Sequence, residues 1–317
     1  MPAQIFTYLK GLLQGSNITA TFLALQFGYS HDKMTRFLAS GFPWKKLFFR
    51  LIVSWFGVLK HGYLIIDDTV LAKPYGKKFA KACFAYSSCL DRVVYGYHIV
   101  LLAWTNGFIT IPLSFRFYRK GGRSKVALAS ELLKEAKNFW RIKPLAVLFD
   151  SWYGATKLLD QIESYQWFFY SQIKKNRVIN AAAVEDDLVD NGDFLTGPIT
   201  GGVLGFILRY GDKFFATNNL LASNEKIIHS YRLRWKIEEI FRFLKSELHL
   251  EECQARSVTA QQTHLVGCMI AFLLLQKEQQ NLPDKTIYQI KHNWLLDRRL
   301  GNNRIKHYVV KELLNFA

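Results

Sequence analysis

Two apolar runs that each finish in aspartate constrain this chain more than any other feature. Residues 63–68 read YLIIDD and residues 144–150 read PLAVLFD. Short apolar runs bounded by polar residues are expected to be buried strands. An ionised group at the end of such a strand is costly unless something nearby compensates it. Open α/β sheets gather ligands at the carboxyl ends of their strands, so the two acids are expected to converge at one edge of a sheet. Either aspartate taken alone could instead cap the turn that follows, a role this residue fills readily. Period-two alternation puts Asp68 on the face of Leu64 and Ile66, and Asp67 on the opposite face.

The segments around these runs complete an α/β pattern. Residues 95–104 and 108–117 alternate like strands and are separated by Asn106-Gly107, a strong hairpin signal. Helical periodicity follows at 124–139 and 155–164, with a further strand at 167–173. The expectation is a mixed sheet with flanking helices. Residues 174–220, rich in glycine between short alternating runs, read as a β-rich insertion, and residues 223–248 as one long helix. The first 60 residues and those from 257 to 317 read as helical end regions, leaving 61–256 as the central domain. Near the start, Asn17 is expected to cap a helix running to Gln26. Gly28 then turns the chain, and Ser30 caps a second helix carrying Asp32, Lys33 and Arg36. This spacing suits a helix-turn-helix, and equally an ordinary helical pair.

Charge narrows the class of partner. The chain has 42 Lys and Arg against 25 Asp and Glu, a formal net charge of +17. Such a surplus favours a polyanion, because each neutralised phosphate releases condensed counterions; an anionic membrane surface or RNA would satisfy charge alone. With half its residues hydrophobic, the chain is not disordered as a whole. The four cysteines show no zinc-ligand spacing and are expected to be scattered thiols in a reducing compartment. The longest apolar run, Leu265–Leu275, is shorter than the roughly 20 residues that span a bilayer, and no leader pattern opens the chain, so a soluble cytoplasmic protein without a membrane partner is expected.

The long helix adds a third acid. Advancing about 100° per residue from Glu238 places Tyr231, Arg234, Arg242 and Lys245 within about 40° of it. Leu233, Ile237, Ile240 and Leu244 turn well away. A solvated face mixes signs along its length, whereas here one acid stands in a column of cations and a tyrosine. Cations beside a metal-binding carboxylate suit a site through which phosphodiesters pass. Three carboxylates can hold two divalent ions about 3.5–4 Å apart, one activating water or a 3′-hydroxyl and the other stabilising the leaving oxygen. All-oxygen donors suit Mg²⁺. Lys73, Lys77, Lys78 and Lys81 lie where a DNA backbone could pass, or in a solvated loop. Trp152 could stack on an unpaired base, or pack inside.

From Tyr231 the chain spells Tyr-x2-Arg-x3-Glu-x6-Lys, and this resembles the signature of the DDE transposases of bacterial insertion sequences. IIDDT at 65–69 and LFDSWYG at 148–154 look like the family's two aspartate motifs, and the resemblance covers roughly residues 63–256. It implies an RNase H-like core with the β insertion lying before the glutamate helix. It implies Asp68, Asp150 and Glu238 as ligands of two Mg²⁺ ions, with Mn²⁺ as a substitute, Asp68 being preferred over Asp67 because the family pattern sets the acid directly before Thr69. Tyr231, Arg234 and Lys245 would position terminal phosphates. The implied activity is nicking at the ends of an insertion sequence followed by strand transfer into target DNA, by a dimer that pairs two ends at the nucleoid. The alternatives are a transposase-derived DNA-binding protein that no longer cuts, and another RNase H-like nuclease.

Overall fold

The computed structural model describes residues 2–41, 43–76, 78–87, 91–180, 182–200, 202–310 and 312. Helices α1 (Pro2–Gln14), α2 (Ala20–Phe27), α3 (His31–Ala39) and α4 (Trp44–Phe56) open the chain. Strands β1 (Tyr63–Ala72), β2 (Cys83–Ser87), β3 (Arg92–Thr105) and β4 (Thr110–Tyr118) follow. Next come α5 (Lys125–Asn138), β5 (Val147–Phe149), α6 (Thr156–Ser164) and β6 (Phe169–Ile173). Five short strands and one helical turn succeed them: β7 (Val178–Ile179), β8 (Ala182–Ala183), α7 (Val184–Asp187), β9 (Phe194–Pro198), β10 (Leu204–Tyr210) and β11 (Lys213–Thr217). The chain closes with α8 (Asn224–Arg232), α9 (Trp235–Glu247), α10 (Val258–Asn281), α11 (Ile287–Leu296), α12 (Arg298–Ile305) and a π-helical turn at Lys306–Val310.

These elements form two compact units, one of Met1–Val58, Leu71–Tyr97 and Phe241–Ala317, the other of Leu59–Val70 and His98–Ile240. In the first, α10 is apolar on all sides, which marks a core helix. Its 24 residues are long and apolar enough to cross a membrane by length and composition, yet 78% of its most apolar stretch is buried within the protein. Helices α1, α3, α4 and α11 pack on it. The N- and C-terminal helices therefore make one helical unit, where the sequence suggested two separate end regions: an all-round apolar helix needs cover from both. Thr19, two residues later than expected, caps α2 by accepting the Phe22 N–H, while Asn17 accepts the N–H of Thr19. Gly28 ends α2 at φ 64°, a left-handed conformation suited to glycine. Ser30 caps α3, which buries Met34, Phe37 and Leu38.

In the second unit the sheet runs β3–β1–β5–β6–β11–β10–β9, with β4 paired to β3. Strands β1, β5 and β6 are parallel, and β11, β10 and β9 continue antiparallel from β6. Leu64, Ile65 and Ile66 of β1 are all 0% exposed, as expected for a central strand covered on both faces. Helices α5 and α8 pack against this sheet, α5 on β4 and α8 on β5, β6 and β11. Ser124 caps α5 by accepting the Ala127 N–H. In the β-rich stretch expected at 174–220, residues 194–217 pair into the main sheet, and β7 and β8 form a small sheet of their own.

Candidate active site

Both aspartate motifs deliver their acids to one place within the sheet unit. Strand β1 does not end at its aspartates, as the sequence suggested, but continues to Ala72, so Asp67 and Asp68 sit mid-strand, with side chains 16% and 17% exposed. Their neighbours separate them. Asp68 accepts hydrogen bonds from Lys125 Nζ at 2.6 Å and from the Tyr153 hydroxyl at 2.8 Å. Asp67 accepts one from Arg234 Nη1 at 2.8 Å, and Arg234 Nη2 donates to Glu238 Oε1 at 2.6 Å. Adjacent strand residues point to opposite faces, so one aspartate meets the first residue of α5 and the other meets the junction of α8 and α9. Glu238 thus shares its cation with Asp67.

Asp150 follows β5 directly. Its Oδ1 accepts the Trp152 N–H at 3.0 Å and its carbonyl accepts the Tyr153 N–H. Closing the turn engages one carboxylate oxygen, the capping role expected of an aspartate here. Burial pushes the Asp150 carboxyl above the ordinary carboxylate range, against the pull of the Trp152 N–H and Arg234, and the charge on Asp68 adds to the rise. Asp67 is lifted to about 7, again chiefly by burial, with Arg234 opposing and Asp150 and Asp68 reinforcing. Arg234 is held more firmly protonated than usual: burial opposes its charge, but Asp67, Tyr231 and Glu238 outweigh that. Its Nε is buried without a partner among the described residues.

The single long helix expected at 223–248 is two helices. Leu233 and Arg234 form a tight turn, with the Arg234 N–H reaching back three residues to the Tyr231 carbonyl. This break lets the Arg234 guanidinium reach Asp67 and Glu238 together. Tyr231, at the end of α8, donates its hydroxyl to Gln172 at 3.3 Å and sits 5.7 Å from the Arg234 guanidinium. Further along α9, Arg242 is exposed, and Lys245 pairs with Glu251 at 3.3 Å inside the helical unit.

Lys73 is not the exposed DNA-backbone contact expected of it. It is 5% exposed and donates to the carbonyls of Glu251 at 2.5 Å and Cys253 at 2.9 Å, so its ammonium ties backbone together within the helical unit. Lys77 lies outside the described residues. Lys125 and Tyr153 were not identified from the sequence; their only signals were places just after a helix cap and three residues beyond Asp150.

Among the described residues, no three acidic, histidine or cysteine side chains close around a single point. The guanidinium of Arg234 bridges two of the acids instead. The donor set nonetheless fits a hard divalent cation. It is all oxygen, and burial, with repulsion between the acids, raises the Asp67 and Asp150 carboxyls above their ordinary range. A second positive charge would relieve both.

The fold resembles that of the piggyBac transposase in a synaptic complex with hairpin DNA, at a TM-score of 0.55 and 11% identity, over 98% of this chain and 72% of that one. Fainter likenesses are to the Drosophila P element transposase in a strand transfer complex (TM-score 0.29, 13% identity, 89% of this chain and 60% of that one). The same holds for the Mos1 mariner paired end complex with Mn (TM-score 0.19, 11% identity, 96% and 77%). The fold is read from the first alone: a mixed RNase H-like sheet with flanking helices. No characterised protein sequence matches the chain. The profile of the transposase DDE domain, however, matches residues 59–274, which hold both aspartate motifs, the broken helix and Glu238. The chain belongs to the transposase DDE-domain family.

Proposed function

We propose that this transposase cuts DNA at the ends of a mobile element and joins those ends to target DNA, with Asp67, Asp150 and Glu238 as the metal-holding acids. The observation that carries the reading is the bridge of Arg234 between Asp67 and Glu238, beside Asp150. It favours Asp67 over Asp68, the aspartate preferred on sequence pattern, because Arg234 links Asp67 to Glu238 while Asp68 is turned to Lys125 and Tyr153. Two Mg²⁺ ions bound by these acids would supply an activated hydroxyl and stabilise the leaving oxygen. The protein's own groups do the rest. Tyr231 and Arg234 hold the phosphate to be cut, Arg234 by turning its fork from the acids to non-bridging oxygens, which a guanidinium matches two at a time. Asp68 fixes Lys125 next to the acids. Two copies of the chain on the chromosome would pair two DNA ends.

The test is an Asp150→Ala variant assayed on DNA with Mg²⁺ or Mn²⁺. Loss of the metal-held geometry is worth several kcal/mol, so nicking should fall by about 10³-fold or more while DNA binding persists. Cleavage at the wild-type rate would refute the assignment. Wild-type protein that binds DNA and never nicks it would favour a DNA-binding relative without cleavage.

A further inference from the structure

A cavity of about 350 Å³ opens beside the acids within the sheet unit, lined by Tyr118, Ser124, Lys125, Val126, Trp152 and Lys174. Trp152 is 60% exposed, an unusual condition for the largest apolar side chain, and the reverse of a packing role. Its backbone is fixed by the turn that Asp150 closes. Two ammonium groups approach the indole, Lys125 Nζ at 5.6 Å and Lys174 Nζ at 5.8 Å from the ring centre. Lys125 Nζ also lies 5.9 Å from the Tyr118 ring and contacts Asp68. Ser124 and Lys125 stand at the N-terminus of the 14-residue helix α5, where free N–H groups favour an anion.

Each part narrows the ligand. An open indole face takes a flat aromatic ring. Two lysines beside a helix N-terminus take an anion that such a ring carries close by. A ring and an anion at that separation describe a nucleotide. Inside a duplex both faces of a base are covered by its neighbours, and an end pair exposes one face of two joined bases, so a single base reaches Trp152 alone only when it is unpaired. The volume, at the small end for ligand sites, also suits one nucleotide better than a base pair.

We propose that this cavity is a subsite for a single unpaired nucleotide of the DNA substrate, its base lying on Trp152 and its phosphate held by Lys125 and Lys174. The proposal rests on the DNA-cleaving function above and adds a place for the nucleotide next to the cut. No element of the β9–β11 extension contributes to it.

The experiment uses the full chain with Ca²⁺ in place of Mg²⁺, so that DNA is bound and not cut. Two probes are compared: a short blunt duplex, and the same duplex with one unpaired 2-aminopurine nucleotide at its end. Wild type should bind the second about tenfold more tightly, the scale of one base stacked on an aromatic side chain, and should quench the 2-aminopurine. Trp152→Ala should lose both the preference and the quenching while binding the blunt duplex as before. Trp152→Phe should keep most of both. Equal affinity of wild type for the two probes, or quenching unchanged in Trp152→Ala, would overturn the subsite. Equal weakening on both probes would show instead that Trp152 only shields the acids. Binding to neither probe would overturn the DNA-cleaving reading, and the subsite with it.

Discussion

The helical unit and the sheet unit both bury polar groups, but they treat them differently. In the helical unit the buried titratable groups are paired within the unit itself, although the side-chain oxygens of Gln4, Gln14 and Asn302 are left without a partner among the described residues. His264 accepts from the Tyr8 hydroxyl at 2.7 Å, and its other ring nitrogen faces the Leu250 carbonyl at 3.1 Å, which fixes a neutral tautomer. Lys73 is held by two carbonyls, Gln14 by those of Trp294 and Arg298, and Glu278 by Tyr308 and Arg304. In the sheet unit three aspartates share a small space, two of them pushed up in pKa, and Arg234 leaves a buried nitrogen unpartnered. Satisfied buried networks hold a fold together; strained ones are where ligands and chemistry are found. The difference separates the support from the site within a single chain.

The sharpest way to break this comparison is to treat a helical-unit cation as if it were functional. Lys73→Met leaves two buried carbonyls without a donor. It should cost about 2–4 kcal/mol of stability in denaturant unfolding, with no change in the slope of log DNA affinity on log salt. A stable Lys73→Met protein with a flattened salt slope would return Lys73 to the DNA-contact role.

A subtler distinction lies in pH. Burial lowers His264 to about 3, from an ordinary value of 6.5. The folded state then holds fewer protons than the unfolded one, so the helical unit loses stability as pH falls from about 6.5 towards 3. Asp67 shows the opposite sign: raised from 3.8 to about 7, it binds more protons folded than unfolded. Without metal, its contribution is full at low pH and is lost as pH rises through 7. Hydrogen exchange resolved by peptide, corrected for intrinsic rates, should show the two units moving in opposite directions between about pH 4 and 6.5. Asp67→Asn should remove the alkaline loss from the sheet unit alone. Parallel behaviour in both units would erase the contrast.

Much of this architecture could be read from the residues. Strands β1 and β5, the cap at Ser30, and the two motif aspartates are local signals, carried by apolar runs and side-chain chemistry. What escaped depends on distant partners. The break at Leu233–Arg234 has no proline or glycine to announce it; it serves a guanidinium that reaches Asp67, 167 residues earlier. Lys73 sits in a segment that reads as a basic loop, and only the folded position of Glu251 and Cys253 buries it. The choice between Asp67 and Asp68 turns on which side of β1 faces the helix carrying Glu238. The runs at 194–217 were recognisable as strands, but their place in the main sheet depends on pairing of β11 with β6.

The most direct measurement is a calorimetric Mn²⁺ titration of the metal-free protein at pH 6.5 in two buffers of different ionisation enthalpy, whose heats differ in proportion to the protons released. With Asp67 partly protonated there, binding should release protons, and Asp67→Asn should remove both the release and most of the affinity, whereas Asp68→Asn should largely retain them. Tight Mn²⁺ binding that survives Asp67→Asn and vanishes with Asp68→Asn would contradict the geometry proposed for the site.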